Sequence, residues 1–158
     1  MILPVLKSVS VGGCTTKLDL MNTFCWPVRV YYEDTDSGGV VYYANYLRFM
    51  ERARSEWLRS LGIGQNQLIE RDGLIFVVRH VELNYLKPAR FDDTLQVTVA
   101  LHERGRASLT FDQQVLLDAE GESVVLCSGQ VKIACVDAAT MRPRAIPNYI
   151  QVEIDGVI

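Results

Sequence analysis

Histidine is scarce in this chain of 158 residues: His80 and His102 are its only two copies, and they form no close His/Cys cluster. The four cysteines, Cys14, Cys25, Cys127 and Cys135, form no C-x-x-C pair. Together these gaps argue against a structural zinc site, and the cysteines read as reduced thiols used mostly for packing. No G-x-S-x-G elbow is present, so a Ser-His-Asp mechanism has no support. There is no basic excess either. A formal net charge of -3 gives no general attraction to a phosphate backbone, so no nucleic-acid partner is expected and any anionic ligand must be held by a few specific cations. No run of about 20 apolar residues is available to cross a membrane, and no membrane insertion is expected. With 49% hydrophobic and 22% charged residues, the length suits one domain with one core.

The first residues are read apart. Val11-Gly12-Gly13-Cys14 has some likeness to a lipoprotein cleavage site, but Pro4 and Lys7 interrupt the apolar stretch and no basic residue precedes it. Residues 1–22 are expected to be a flexible leader, residues 23–150 a single domain and residues 151–158 a C-terminal tail. The expected location is cytoplasmic.

Val28 to Tyr32 is β-branched and aromatic and reads as a strand. Glu33-Asp34-Thr35-Asp36-Ser37-Gly38-Gly39 breaks it with short polar side chains and paired glycines, as a helix start would. From Val40 to Leu61 the spacing predicts a helix. Arg48, Arg52, Ser55 and Arg59 form a polar stripe, while Tyr42, Tyr43, Tyr46, Phe49, Met50, Ala53 and Trp57 cover much of the rest. Such a helix is expected to be nearly enclosed, with Glu51–Arg54 and Arg52–Glu56 pairs on its surface and Gly62 ending it in a left-handed conformation.

A short helical or irregular piece is expected over Gln65 to Arg71. Extended segments follow at Leu74–Leu86, Leu95–His102, Ala107–Leu117 and Ser123–Val136, with a turn over Asp118–Gly121 and a bulge or bend at Gly129. Helices do not alternate with the later strands, so the architecture is α+β, with one helix wrapped by a long twisted antiparallel sheet of about five strands.

Asp34-Thr35-Asp36 is the densest chemical signal. An ionised carboxylate near a helix N-terminus can attack an acyl carbon or take a proton from water, and the unpaired N–H groups of that helix end can hold an oxyanion. Taken alone, the two aspartates read equally as caps or turn residues.

The longer pattern goes further. Val28 to Glu56, through Tyr-Tyr-Glu-Asp-Thr-Asp-Ser-Gly-Gly-Val-Val-Tyr-Tyr-Ala-Asn-Tyr-Leu, resembles the 4-hydroxybenzoyl-CoA-thioesterase-like family, and within it the Tol-Pal-associated acyl-CoA thioesterases. The resemblance continues through Phe76-Val77-Val78-Arg79, Pro88-Ala89-Arg90-Phe91-Asp92-Asp93, Cys135-Val136-Asp137 and Met141 to Pro147. It implies a hotdog fold, hydrolysis of acyl-CoA without a metal or cofactor, and homodimers or homotetramers with active sites at the subunit interface. Asp36 matches the family's catalytic carboxylate, and Tyr43 the residue whose backbone N–H polarises the thioester carbonyl. Many Tol-Pal-type relatives carry His where Tyr43 stands. With a backbone donor the exchange costs little; with a side-chain role, activity or substrate range changes.

For the CoA phosphates the candidate cations are Arg90, Arg104, Arg106 and Lys132, each also readable as solvated surface. Val77 and Val78 are candidates for the pantetheine channel, and equally for core. His80 and His102 have no visible partner. Acyl carrier protein is the alternative thiol carrier. Three rival readings remain: a magnesium-dependent phosphatase of the haloacid-dehalogenase type, which the strand-only second half opposes; a hotdog dehydratase, which lacks its usual histidine; and a non-enzymatic acyl-CoA-binding or scaffold protein of the Tol-Pal system.

Overall fold

The structure, a computed structural model, describes residues 23–119 and 122–157. The expected leader, Cys14, and Glu120-Gly121 of the expected turn lie outside them. The elements are β1 (Phe24–Arg29), α1 (Asn45–Ser60), α2 (Gln65–Asp72), β2 (Leu74–Tyr85), β3 (Thr94–Arg104), β4 (Ser108–Ala119), β5 (Glu122–Asp137) and α3 (Asn148–Asp155). The strands form one sheet in the order β1-β3-β4-β5-β2, antiparallel at every step.

Alternation along β3, β4 and β5 puts Leu95, Val97, Val99, Leu109, Phe111, Val115 and Val131 into one buried layer. Phe49, Met50 and Ala53 of α1 are fully buried with them, and Trp57 meets Phe111 edge-on at 5.2 Å. Each large apolar side chain so enclosed contributes roughly 1.5–3 kcal/mol. This is the α+β architecture that the resemblance implies, a sheet folded over a central helix. Among the described residues no helix is long and apolar enough to cross a membrane.

Four local expectations are corrected. First, α1 begins at Asn45, not Val40. Val40 and Val41 are apolar enough to continue the helix, but they pair in isolated bridges with Arg90 and Thr35, and the Val41 N–H donates to the Ala89 carbonyl at 2.9 Å. The other end is as expected, with Gly62 left-handed at φ +76 after the C-cap Leu61.

Second, the front of the expected helix is not enclosed: Tyr42 and Tyr43, ahead of α1, and Leu47 in its first turn are exposed. Third, the helix pairs differ. Arg59 bonds Glu56, the Ser55 hydroxyl donates to Glu51, and Arg54 turns inward. Arg54 is 7% exposed and donates to the Gln113 side-chain oxygen at 2.6 Å, while Gln113 itself donates to the carbonyls of Met50 and Thr98. Burial lowers the Arg54 guanidinium to about 10, with Glu51 pulling the other way.

Fourth, Gly129 pairs regularly with Leu83 and Gln113. The register shifts instead fall between Val78 and His80, between Leu101 and Glu103, and between Val115 and Leu116. Gly129 marks a close approach, because a Cβ there would run into the Glu82 carbonyl and Leu83.

The helix α3 has no counterpart in the expected order. Ile150 and Ile154 join the core with no exposed surface.

Candidate active site

The chain from Asp34 to Tyr42 folds into a small hairpin in front of α1. The Asp36 N–H donates to the Val40 carbonyl and the Gly39 N–H returns to the Asp36 carbonyl, each at 3.0 Å. Gly39 sits at φ +73, which favours glycine in this tight corner. Thr35 bridges Val41, and Val40 bridges Arg90, so the hairpin is docked on the segment that precedes β3.

At its base, the Asp34 carbonyl accepts the Tyr42 N–H at 2.8 Å and the Asn45 side-chain amide at 2.9 Å. Asp34 is a structural residue: it is buried and its carboxylate accepts the Tyr31 N–H at 2.9 Å. Asp36 differs. Its carboxylate is exposed on the chain's surface and accepts one bond, from the Gly38 N–H at 2.8 Å.

The sequence argument puts Asp36 immediately before a helix N-terminus. In the structure eight residues separate it from Asn45, and the hairpin, not the chain direction, brings it back toward the helix. Its negative charge is felt there: the Tyr42 phenol is raised, first by a bond to Tyr43 and by the charge on that neighbour, then by burial and by Asp36. At the helix entrance the Tyr42 carbonyl accepts the Asn45 N–H at 2.8 Å, while the Tyr43 N–H has no hydrogen-bond partner among the described residues. An exposed carboxylate and an N–H donor without a partner among the described residues therefore flank the same hairpin, one on its turn and one where it enters α1.

Aromatic rings cluster at the helix entrance. Tyr43 lies 4.6 Å from Tyr42 and 6.3 Å from Tyr85, and Tyr85 in turn 5.6 Å from Tyr46, measured between ring centroids. The Tyr85 hydroxyl donates to the Tyr43 carbonyl at 3.1 Å. Burial raises the Tyr46 phenol, against a bond from the Ala89 N–H to its oxygen.

Of the other sequence candidates, Arg90 lies beside the hairpin through its bridge to Val40. The rest are elsewhere in the chain. Val77 is half-buried and Val78 exposed, toward the start of β2. Lys132 lies across the ladder from His80 and, with Arg79, Ser108 and Pro143, lines a cleft of about 430 Å³. Arg106 is exposed in the β3–β4 turn. Arg104 is engaged by α3, through Gln151 and Asp155 at 3.0 Å each. His102, expected without a partner, meets Asp112 at 2.8 Å on the exposed surface. A wider hollow of about 640 Å³ under α2 and α3 contains none of the candidates.

Sequence reasoning passed over Asn45 and Tyr85. The signal for Asn45 was a polar amide inside an otherwise apolar run; for Tyr85 there was none, since its bond to Tyr43 spans 42 positions.

The sequence profile of the thioesterase-like superfamily matches residues 30–154. An acyl-CoA thioesterase YbgC from Haemophilus influenzae is 44% identical over 132 residues, covering 84% of this chain and 94% of that protein. A protein of the same name from Helicobacter pylori is 33% identical over 134 residues, covering 82% of this chain and 98% of its own length. Among solved structures, a 1,4-dihydroxy-2-naphthoyl-CoA thioesterase from Synechocystis superposes with a TM-score of 0.76 at 22% identity over 84% of this chain and 96% of that one, a likeness of fold.

Proposed function

The chain belongs to the thioesterase-like superfamily, and from this we propose that it hydrolyses acyl-CoA to the free acid and CoA, with Asp36 as the reacting carboxylate and the Tyr43 N–H as the oxyanion donor. The observation that carries the reading is the pairing of an exposed, hairpin-held carboxylate with a backbone N–H at the entrance of α1 that has no hydrogen-bond partner among the described residues. The name of the Haemophilus influenzae relative supports the substrate class.

Two routes use the same atoms. In one, an Asp36 oxygen attacks the thioester carbon, the C–S bond breaks, CoA leaves as the thiolate, and water then cleaves the resulting anhydride and regenerates the carboxylate. In the other, Asp36 takes a proton from water, whose oxygen attacks the thioester carbon; the C–S bond then breaks and the departing CoA thiolate takes up that proton. In both, negative charge builds on the carbonyl oxygen, where the Tyr43 N–H receives it. A backbone donor does this whatever the side chain, so Tyr43 in place of a histidine leaves the step intact.

We further propose that the working site spans two copies. Val78 and Tyr85 stand seven positions apart on β2, roughly 23 Å along an extended strand, so one chain cannot bring Val77, Val78 and the cleft beside Lys132 to its own Asp36. The strand β2 is an outer strand of the sheet, paired with β5. Two copies joined antiparallel along it set the start of each β2 beside the end of the other. Arg90 would then come from the Asp36 side, and Lys132 and Arg106 from the partner side, to meet the phosphates. A dimer is the minimal form, and a tetramer its doubling.

The test is a panel of acyl-CoA and acyl–acyl-carrier-protein thioesters turned over by the wild type and by Asp36→Asn. The carboxylate lies on the surface, so the variant should fold normally and lose on the order of a hundredfold or more in kcat. Wild-type turnover in Asp36→Asn would overturn the assignment. Binding of acyl-CoA without cleavage by either protein would leave the Tol-Pal scaffold reading in its place.

A further inference from the structure

We propose that Asn45 is a positioning residue that fixes the separation of the Asp36 carboxylate from the Tyr43 N–H, an inference that rests on the thioesterase reading of this loop. Asn45 is the first residue of α1, yet its side chain does not cap that helix: the N-cap is Ala44 and no side-chain cap bond is made. It is 5% exposed and reaches back 11 positions to the Asp34 carbonyl at 2.9 Å.

That carbonyl also accepts the Tyr42 N–H at 2.8 Å, so both of its lone pairs are taken, one by the returning arm of the hairpin and one by the helix. Asp34 is two residues before the carboxylate, and Tyr42 is one residue before the donor. Asn45 is thus the side chain that ties the two arms to the rigid end of α1.

Its backbone does a second task. The Asn45 N–H donates to the Tyr42 carbonyl at 2.8 Å, and that carbonyl shares its peptide with the Tyr43 N–H. A peptide that accepts at its oxygen donates more strongly at its nitrogen. One residue therefore holds the oxyanion donor's peptide plane through its main chain and the carboxylate's loop through its side chain. Aspartate has the same shape but would set a carboxylate oxygen against the Asp34 carbonyl, and alanine would leave that lone pair empty in a buried place.

The experiment compares Asn45→Ala, Asn45→Asp and Asn45→Gln with the wild type by thermal unfolding and by kcat and KM on an acyl-CoA that the wild type cleaves. It repeats Asn45→Ala in the Asp36→Asn background. The expected result is a kcat about ten- to a hundredfold lower in Asn45→Ala and Asn45→Asp at temperatures where both are folded, with KM within about threefold. In the Asp36→Asn background, adding Asn45→Ala should cost less than about threefold more, because the residue acts through the group already lost.

A purely structural amide would lower the unfolding temperature and leave kcat per folded molecule alone, and that outcome overturns the proposal. So does a full multiplicative loss in the double variant, or failure of all three single variants to fold. If Asp36→Asn itself turns over like the wild type, the catalytic reading falls, and this inference with it. If Asp36→Asn is inactive and Asn45→Ala is not impaired, only this inference falls.

Discussion

The phenol of Tyr85, at the last position of β2, donates to the carbonyl oxygen of Tyr43 across 3.1 Å and so ties the outer strand of the sheet to the entrance of α1. Burial raises the Tyr85 phenol above its usual value, which keeps it protonated as a donor throughout the neutral range. Tyr85→Phe removes the donor and keeps the ring. Its expected stability loss is about 0.5–1.5 kcal/mol by urea unfolding, with a few-fold fall in kcat as the backbone next to the Tyr43 donor loosens. A variant equal to the wild type in both would show that the bond is idle.

The buried pair Arg54 and Gln113 gives a second expectation. Gln113→Leu leaves a desolvated guanidinium without its oxygen acceptor and should destabilise by about 3–5 kcal/mol. Arg54→Met with Gln113→Leu removes both partners at similar volume, and should recover most of that loss. Denaturant midpoints of the two single variants and the double variant decide it: simple addition of the single losses would mean that the two side chains are not coupled.

Asp137 at the end of β5 gives an expectation in acid. Its carboxylate accepts the Thr140 N–H at 2.9 Å, the Thr140 hydroxyl at 3.0 Å and the Ala139 N–H at 3.1 Å, and it meets Arg144 at 3.1 Å. The Thr140 bonds lead in holding the carboxyl below its ordinary range. A depressed folded value contributes stability that is present above the unfolded value of about 4 and lost as pH falls through the folded one. Unfolding temperatures of the wild type and Asp137→Asn, measured from about pH 7 down to about pH 2, should therefore differ most near neutrality and converge in acid. Curves that stay parallel would count against it.

The strands and the central helix were legible because their apolar residues repeat at strand or helix spacing over long runs. The helix start was misplaced for an instructive reason. Val40, Val41, Tyr42 and Tyr43 are as apolar as the helix they precede, and what diverts them is bonding to Ala89 and Asp34, which periodicity does not register. Arg54 reads as surface by charge and is buried by geometry. Gly129 announced an irregularity, but the reason lies in the neighbouring strand. For the candidate site, the motif pointed to Asp36 while spacing misjudged how the carboxylate reaches the helix. The side chains that organise the loop, Asn45 and Tyr85, act over 11 and 42 positions, distances at which local pattern is silent.

The strand β2 exposes Val78, and Arg79 and Glu82 stand exposed along it. In a single copy, a rim of this length can template the addition of any passing strand, and charged side chains are the usual guard against it. Under the two-copy proposal the partner strand seals this rim, so a variant that pairs poorly, or one that strips Arg79 and Glu82 of charge, is expected to precipitate more readily even though the Asp36 loop is untouched.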